Sequence, residues 1–272
     1  MSSDPQVERC LSSIRELSDV WSRELTRLSL EAWDGPTNCP PWTVRELVAH
    51  VVSSGEGHAE SIRQGLRGSV QESGDRAQRD QRQKALTAAS PAEAAKELDA
   101  IAREFAAIYD GLDDAALASI CYHRRGNRSA KWFVAHRLAE VAFHRWDYQL
   151  SLGQEPVMDE QVAALLLPTL LESNAPRTYA AGLTEERGRG ERFALAVKDD
   201  PAASWLVTVT PDELTAVPSG GPGDLTVTAT AATLALLVYG RQSLPSLFES
   251  KSVWLDGDLA LVGRFGKVFP HP

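Results

Sequence analysis

The sequence predicts an α+β protein in which a four-helix bundle, over residues 1–175, precedes a small α+β domain over residues 185–272. The first half carries apolar residues at the three- and four-residue spacing of amphipathic helices. After Gly188 the pattern changes to alternation of apolar and polar residues with many β-branched side chains, which is typical of strands. A chain of 272 residues is long enough for two domains that each bury a core.

The composition is that of an ordinary globular protein and excludes some classes of function. Hydrophobic residues make up 43% of the chain, charged residues 24%, and the formal net charge is −9. Binding to nucleic acid without sequence preference requires clustered positive charge, so we expect no nucleic-acid partner. The N-terminus has no apolar signal segment, and the longest apolar run is too short to span a bilayer. Three cysteines without metal-ligand spacing fit a reducing compartment, so we expect a cytoplasmic protein with no membrane partner.

Two helices of the bundle have clear start signals. Thr43 can cap one helix while Glu46 reaches back to the Thr43 amide, which is a capping box. Ser90 begins a second capping box, with Pro91 in the first helical position. The long helices are expected at residues 5–31, from 43, from 90 to about 110, and at 129–153.

These four helices suggest an up-down bundle, a fold whose core is a common place for metal sites. Residues 67–89 are polar and almost free of apolar periodicity, so we expect a mobile or loop-rich connection there. A further helix at about 159–173 leads into the second half.

The second half contains three alternating segments, RFALAVK, SWLVTVT and DLTVTAT, separated by clusters of proline and glycine. Thr230 then begins a short helix, AATLALLVYGR. The segment VWLDGDLALVGRF follows, and its Asp256-Gly257 pair indicates a turn.

Glu140 and His144 are the candidate metal ligands with the clearest spacing. An i,i+4 pair projects from one face of a helix. A carboxylate and an imidazole are two of the three protein ligands that a catalytic zinc usually takes, and His50 on another predicted helix could supply the third. Such a site would leave one coordination position open for chemistry.

Other interpretations of the same residues remain open at this stage. Glu140 could instead pair with Arg137 or His136 on its own helix. His136 is also a rival third ligand, although three residues of one straight helix converge poorly on a single ion. For His58 we favour a place on the surface or a supporting contact with a metal ligand, and Asp147 could orient a ligand or lie on the helix surface. The basic cluster at 123–131 is either a solvated loop or an anion-binding rim.

Other catalytic chemistries have little support in the sequence. There is no P-loop, no GxGxxG after a strand, no GxSxG elbow and no HExxH. Cys39 lies near a helix start and Cys121 lies close to His123, so either thiol could be activated, but neither has strong support as a nucleophile.

Three segments resemble the mycothiol-dependent maleylpyruvate isomerase family. They are WDGPTNCPPWTVRELVAH, HRLAEVAFHRWD, and DLTVTATAATLALLVYGR leading to VWLDGDLALV, in the order that the family has them. The resemblance implies a DinB-like N-terminal bundle and a small, sterol-carrier-like C-terminal domain. It also implies a divalent metal, usually zinc, held by His50, Glu140 and His144, with mycothiol as the thiol cofactor. Arg241 is the best match to an arginine that assists activity in the family.

The resemblance implies a metal-dependent enzyme acting on a small, activated acidic substrate. A metal-bound thiol is deprotonated at neutral pH. It would either isomerise a cis double bond by addition, rotation and elimination, or remain attached to the product, as in a mycothiol S-transferase of natural-product biosynthesis. A non-catalytic DinB-like metal-binding protein is the alternative of another class. We expect a small-molecule substrate and a monomer or homodimer.

Overall fold

The computed structural model describes residues 4–72 and 76–269. The chain forms two compact units, Met1–Met158 and Asp159–Pro272. This division lies earlier in the chain than the boundary that we predicted at residues 175–185, because the helices after Asp159 pack on elements of the second unit. Among the described residues, no helix combines the length and the apolar character needed to cross a membrane.

The first unit is a four-helix bundle. Its core is formed by large aromatic side chains that are fully buried, among them Trp21, Phe105, Phe133 and Phe143. The helices of the unit are α1 (Pro5–Leu25), α2 (Leu30–Trp33), α3 (Val44–Leu66), α4 (Arg76–Ala88), α5 (Pro91–Tyr109), α6 (Asp114–Leu117) and α7 (Ala130–Ser151). A small hairpin, β1 (Ile120–Cys121) and β2 (Arg128–Ser129), precedes α7.

Helix starts in this unit follow the predicted capping boxes. The Glu46 carboxylate accepts hydrogen bonds from the Thr43 backbone N–H and hydroxyl, both at 2.8 Å. Glu93 makes the same contacts with Ser90. Because these caps provide acceptors for backbone N–H groups that have no partner within the helix, they fix where α3 and α5 begin.

The long helices do not alternate in direction, so the predicted up-down order is wrong. Helices α1 and α7 run the same way, since Asp4 lies beside Lys131 and Trp21 beside Tyr148. Helix α3 runs antiparallel to α7 and packs directly against it. Helix α5 runs alongside α3 in the same direction.

The unexpected direction of α5 follows from α4, in the segment that we predicted to be loop-rich. A helix of 13 residues is about 20 Å long and can carry the chain back toward the start of α3. Arg82 of α4 donates hydrogen bonds to Glu56 of α3 and Glu97 of α5. Leu86 is the large apolar side chain of α4 that is buried. Ion pairs therefore contribute to the contacts of α4 with α3 and α5, and apolar periodicity does not reveal them. Residues 73–75 of this segment lie outside the described residues.

The second unit contains a mixed five-stranded sheet in the order β5-β4-β3-β6-β7. Strand β3 pairs parallel with β6, and the other neighbours are antiparallel. The three alternating segments form β3, β4 and β6 as predicted, whereas β5 lies in a proline- and glycine-rich stretch and was missed. The strands are β3 (Glu191–Val197), β4 (Trp205–Val209), β5 (Leu214–Pro218), β6 (Leu225–Ala229) and β7 (Trp254–Gly257).

Helices cover this sheet and complete the predicted α+β domain. They are α8 (Glu160–Thr169), α9 (Ala175–Ala180), α10 (Ala231–Val238), α11 (Leu244–Glu249) and α12 (Val262–Val268). Thr230 caps α10 as expected, with its hydroxyl accepting from the Thr233 backbone N–H at 3.2 Å. A single π-helical turn, Leu170–Asn174, joins α8 to α9.

Candidate metal centre

Three of the predicted site residues lie together in the bundle. His50 Nε2 is 3.3 Å from Glu140 Oε2, and His144 Nε2 is 3.8 Å from the same oxygen. One ligand atom from each of the three residues lies within 4.8 Å of the other two. A tetrahedral zinc ion with bonds of about 2.0–2.1 Å would hold its ligand atoms about 3.4 Å apart, which is close to the two distances from the imidazoles to Glu140 Oε2.

The local sequence explains why these side chains meet. The cap at Thr43 starts α3 seven residues before His50, so the imidazole emerges after two turns, on the side that faces α7. Glu140 and His144 project from one face of α7. The Trp42 ring, just before the cap, lies 4.6 Å from the His50 ring and covers it.

Glu140 is buried and carries a negative charge. Burial by itself would raise the pKa of Glu140, but the imidazoles of His50, His136 and His144 outweigh that effect and hold it well below its ordinary range. Its Oε2 atom is buried without a hydrogen-bond partner of good geometry among the described residues. An ionised, buried oxygen of this kind is stabilised by a cation.

The competing interpretation, an ion pair between Glu140 and Arg137, is absent between these two described residues. Arg137 is fully buried, and its Nη1 donates instead to the Val51 carbonyl at 2.6 Å. Burial lowers the pKa of Arg137 to about 10, and the charge of Glu140 opposes that shift. Glu140 and Arg137 therefore interact over a distance, and the carboxylate stays directed at the histidines. His136 Nε2 lies 3.7 Å from Glu140 Oε1, which is the carboxylate oxygen that does not face His50 and His144.

Asp147 fixes the tautomer of His144. Its Oδ2 lies 3.1 Å from His144 Nδ1, and Asp147 is fully buried. A carboxylate there favours a proton on Nδ1 and leaves the lone pair of Nε2 directed toward Glu140. Cys39 Sγ donates to the same oxygen at 3.2 Å. Asp147 thus has the orienting role that the sequence left open.

A second group of histidines lies where α3, α7 and the β1–β2 hairpin meet. His58, His123 and His136 have ligand atoms within 4.8 Å of one another. The His58 ring lies against His136 and Phe133, and burial lowers the pKa of His58 to about 3, so this imidazole is neutral. His58 belongs to this group and not to the surface. No pattern in the sequence placed His123 here, because it reaches the helices through the β1–β2 hairpin.

Two cysteines have the properties of core residues. Burial raises the pKa of both Cys10 and Cys121 to about 11. Cys121 packs against Gly65 of α3, and its raised pKa gives no support to activation by His123. A thiol with a pKa raised in this way is protonated at neutral pH and is a poor nucleophile.

Arg241 belongs to the second unit and follows the end of α10. Its backbone N–H donates to the Leu236 carbonyl at 2.8 Å, next to Gly240 at φ +71°. This arrangement is a Schellman motif, and Gly240 supplies the left-handed residue that it requires. The guanidinium carbon lies 5.1 Å from the centre of the Tyr239 ring. The backbone of Arg241 thus ends the helix, and the role of its side chain in activity stays a prediction.

Comparison with protein families agrees with this two-part architecture. Residues 14–149, half of the chain, match the mycothiol maleylpyruvate isomerase N-terminal domain. Residues 178–270 match the SCP-2 sterol transfer family. The comparison with curated proteins gives no significant match.

Solved structures show the same fold over almost the whole chain. A crystal structure of the mycothiol-dependent maleylpyruvate isomerase is similar with a TM-score of 0.61 at 16% identity, over 98% of this chain and 96% of that one. A histidine-to-alanine mutant of that isomerase gives the same values. These matches confirm the predicted fold class, a helical bundle followed by a small α+β domain.

Proposed function

The chain belongs to the mycothiol maleylpyruvate isomerase N-terminal domain family, and from this premise we propose that it is a metal-dependent enzyme that uses mycothiol. Its substrate would be a small, activated acidic compound, which it isomerises from cis to trans or joins to the thiol. The observation that carries the proposal is the convergence of His50 Nε2, Glu140 Oε2 and His144 Nε2 within the bundle.

These three donors suit a divalent ion, zinc by preference for two nitrogens and one oxygen. Bound there, the ion would lower the pKa of a thiol in the remaining coordination position and so provide a thiolate at neutral pH. The fit rests on the buried Glu140 Oε2 atom, which has no hydrogen-bond partner of good geometry among the described residues, and on the imidazoles whose nitrogens face it.

The surrounding side chains would adjust charge and orientation. Glu140 brings one negative charge to the site, and Asp147 keeps the His144 lone pair available. Arg137 adds a buried positive charge within range of Glu140. With a divalent ion bound, these charges would leave the site net positive, which would favour the anionic form of a bound thiol. Trp42 packs against the His50 ring and would limit its movement.

Arg241 is proposed to pair with a carboxylate of the substrate. A guanidinium can donate two parallel hydrogen bonds to a carboxylate, and lysine cannot reproduce that geometry. We therefore expect Arg241→Lys to raise KM for an acidic substrate while the bound metal is unaffected. Loss of metal in this variant would point to a structural role instead.

Metal content and thiol dependence test the proposal together. The purified protein should hold a stoichiometric divalent ion, and His50→Ala and His144→Ala should each lose the equivalent bound at this site. Ser54→Ala is a matched control on α3, because the hydrogen bond of its hydroxyl within the described part of the chain is to the Val51 carbonyl of its own helix. If the wild type binds no ion at neutral pH, or if the two histidine variants keep it, the proposal is wrong.

The product separates the two reactions. Maleylpyruvate, incubated with the metal-loaded protein and mycothiol, yields the trans isomer and unchanged thiol if the protein is an isomerase. A stable thioether product would identify a transferase, for which mycothiol S-transfer in natural-product biosynthesis is the alternative. A metal-bound protein that mycothiol neither stabilises against heat nor drives to turnover would be a non-catalytic metal-binding protein.

A further inference from the structure

The antiparallel contact between α3 and α7 places histidines at two levels. At one level His50 faces His144, with ring centres 5.3 Å apart. Eight residues further along α3, and eight back along α7, His58 faces His136 at 4.9 Å. Eight helical residues span about 12 Å, so the second pair cannot share an ion with the first.

Glu140 lies between the two levels. It is four residues from His136 and four from His144, and both project from its face of α7. Its Oε2 atom faces His50 and His144, and its Oε1 atom lies 3.7 Å from His136 Nε2. One carboxylate therefore offers an oxygen to each level.

The β1–β2 hairpin adds a third imidazole at the second level. His123 follows β1, and its ring centre lies 5.6 Å from that of His136 and 6.2 Å from that of His58. Ligand atoms from the three rings lie within 4.8 Å of one another. Trp132 stacks on His136 at 4.4 Å and limits the movement of that ring.

We propose that His58, His123 and His136 bind a second divalent transition-metal ion, with Glu140 Oε1 next to it. Imidazole nitrogens are the preferred ligands of zinc, copper and nickel, and three of them form a complete catalytic-type donor set. His58 Nδ1 is a buried nitrogen without a hydrogen-bond partner among the described residues, so the ring has no competing structural bond there. This inference goes beyond the thiol-dependent reaction and does not depend on it.

Two features of the hairpin oppose metal binding without preventing it. Arg124 and Arg125 are positively charged neighbours, but they are exposed, and water and salt screen exposed charges. The Arg125 backbone N–H donates to His123 Nδ1 at 3.2 Å in an exposed part of the loop. Coordination through Nδ1 uses the lone pair of that atom, and coordination through Nε2 leaves the ring proton on Nδ1, so this hydrogen bond is lost in either case. The exposed Arg125 N–H can then donate to water.

Metal stoichiometry of the full chain tests the second site. Protein loaded with excess Zn²⁺ or Co²⁺ and then dialysed should contain two equivalents by elemental analysis. His123→Gln should retain one, whereas His123→Cys, which restores a ligand, should retain two. Arg125→Gln is the matched control in the same loop and should also retain two. Circular dichroism would confirm that each variant is folded.

The outcomes distinguish this site from the first. Loss of one equivalent in His123→Gln and of the other in His50→Ala would support both sites. A wild type with one equivalent, lost in His50→Ala and kept in His123→Gln, would overturn the second site and leave the first intact. A wild type with one equivalent, lost in His123→Gln and kept in His50→Ala, would support the second site and refute the first. Protein without any bound ion would refute both.

Discussion

At the scale of single residues, Asp147 decides how His144 presents its lone pair. Because Asp147 Oδ2 faces His144 Nδ1 at 3.1 Å, the charge of the carboxylate keeps the proton on that nitrogen. Asp147→Asn preserves the shape but allows the amide to donate to Nδ1, which would move the proton to Nε2. We expect metal affinity to fall about 10- to 100-fold, as found when such outer ligands are removed. Competition with a chromogenic chelator measures the metal affinity of the variant and of the wild type.

The control for this change is Cys39→Ser. The Cys39 thiol donates to the same Asp147 oxygen, and a serine hydroxyl can do so too, so the charge and position of the carboxylate are retained. This variant should bind metal as tightly as the wild type. Equal affinity in Asp147→Asn and the wild type would show that Asp147 does not set the tautomer.

Individual site residues could be predicted to different degrees. The spacing of Glu140 and His144 depends only on helix geometry, so the sequence was enough to place them on one face. That His50 faces them depends on the packing of α3 on α7, which the predicted bundle suggested and the family resemblance supported. His123 could not be predicted, because its position depends on a hairpin of two-residue strands with no periodic signal of its own.

At the scale of elements, Gly65 allows the hairpin to pack closely against α3. A Cβ atom at Gly65 would lie 2.7 Å from the Ile120 carbonyl oxygen and would collide with the Cys121 side chain. Backbone atoms cannot move aside cheaply, so Gly65→Ala should lower the free energy of unfolding by about 1–3 kcal/mol. Denaturant unfolding at constant m-value measures the change.

Gly57, on the same helix, is the matched control for Gly65. A Cβ atom there would meet nothing within 4 Å, and the residue is exposed. Gly57→Ala should therefore raise the free energy of unfolding by roughly 0.5–1 kcal/mol, because alanine restricts the unfolded chain and favours the helix. Effects of the same sign in the two variants would contradict the close packing of the hairpin on α3.

Element prediction succeeded where local signals were strong and failed where tertiary contacts decide. The capping boxes at Thr43 and Ser90 involve only neighbouring residues, so they could be recognised directly. Helix α4 is joined to two other helices by ion pairs of Arg82 with Glu56 and Glu97. No apolar periodicity within residues 76–88 indicates a helix there. Because α4 was missed, the direction of α5 was also predicted incorrectly.

At the scale of the whole molecule, bound metal should stabilise the first unit by linking α3 to α7. The three ligands come from these two helices, and binding to the folded state alone adds about 2.7 kcal/mol when the free ion is at 100 times Kd. Without the ion, the buried charge of Glu140 is opposed only by the imidazoles and the more distant Arg137. We therefore expect a chelator to increase hydrogen exchange in peptides that cover α3 and α7.

The second unit provides an internal control in the same sample. Strand β3 is central in its sheet, and Arg264 donates to Glu191 of this strand at 2.7 Å, so its stability rests on backbone pairing and an ion pair. Exchange in β3, β4 and β6 should not change on chelation. The double variant His50→Ala/His123→Gln lacks a ligand of each proposed site, so it should show fast exchange in α3 and α7 with or without chelator. Equal exchange of the wild-type helices in both conditions would mean that no ion bridges them.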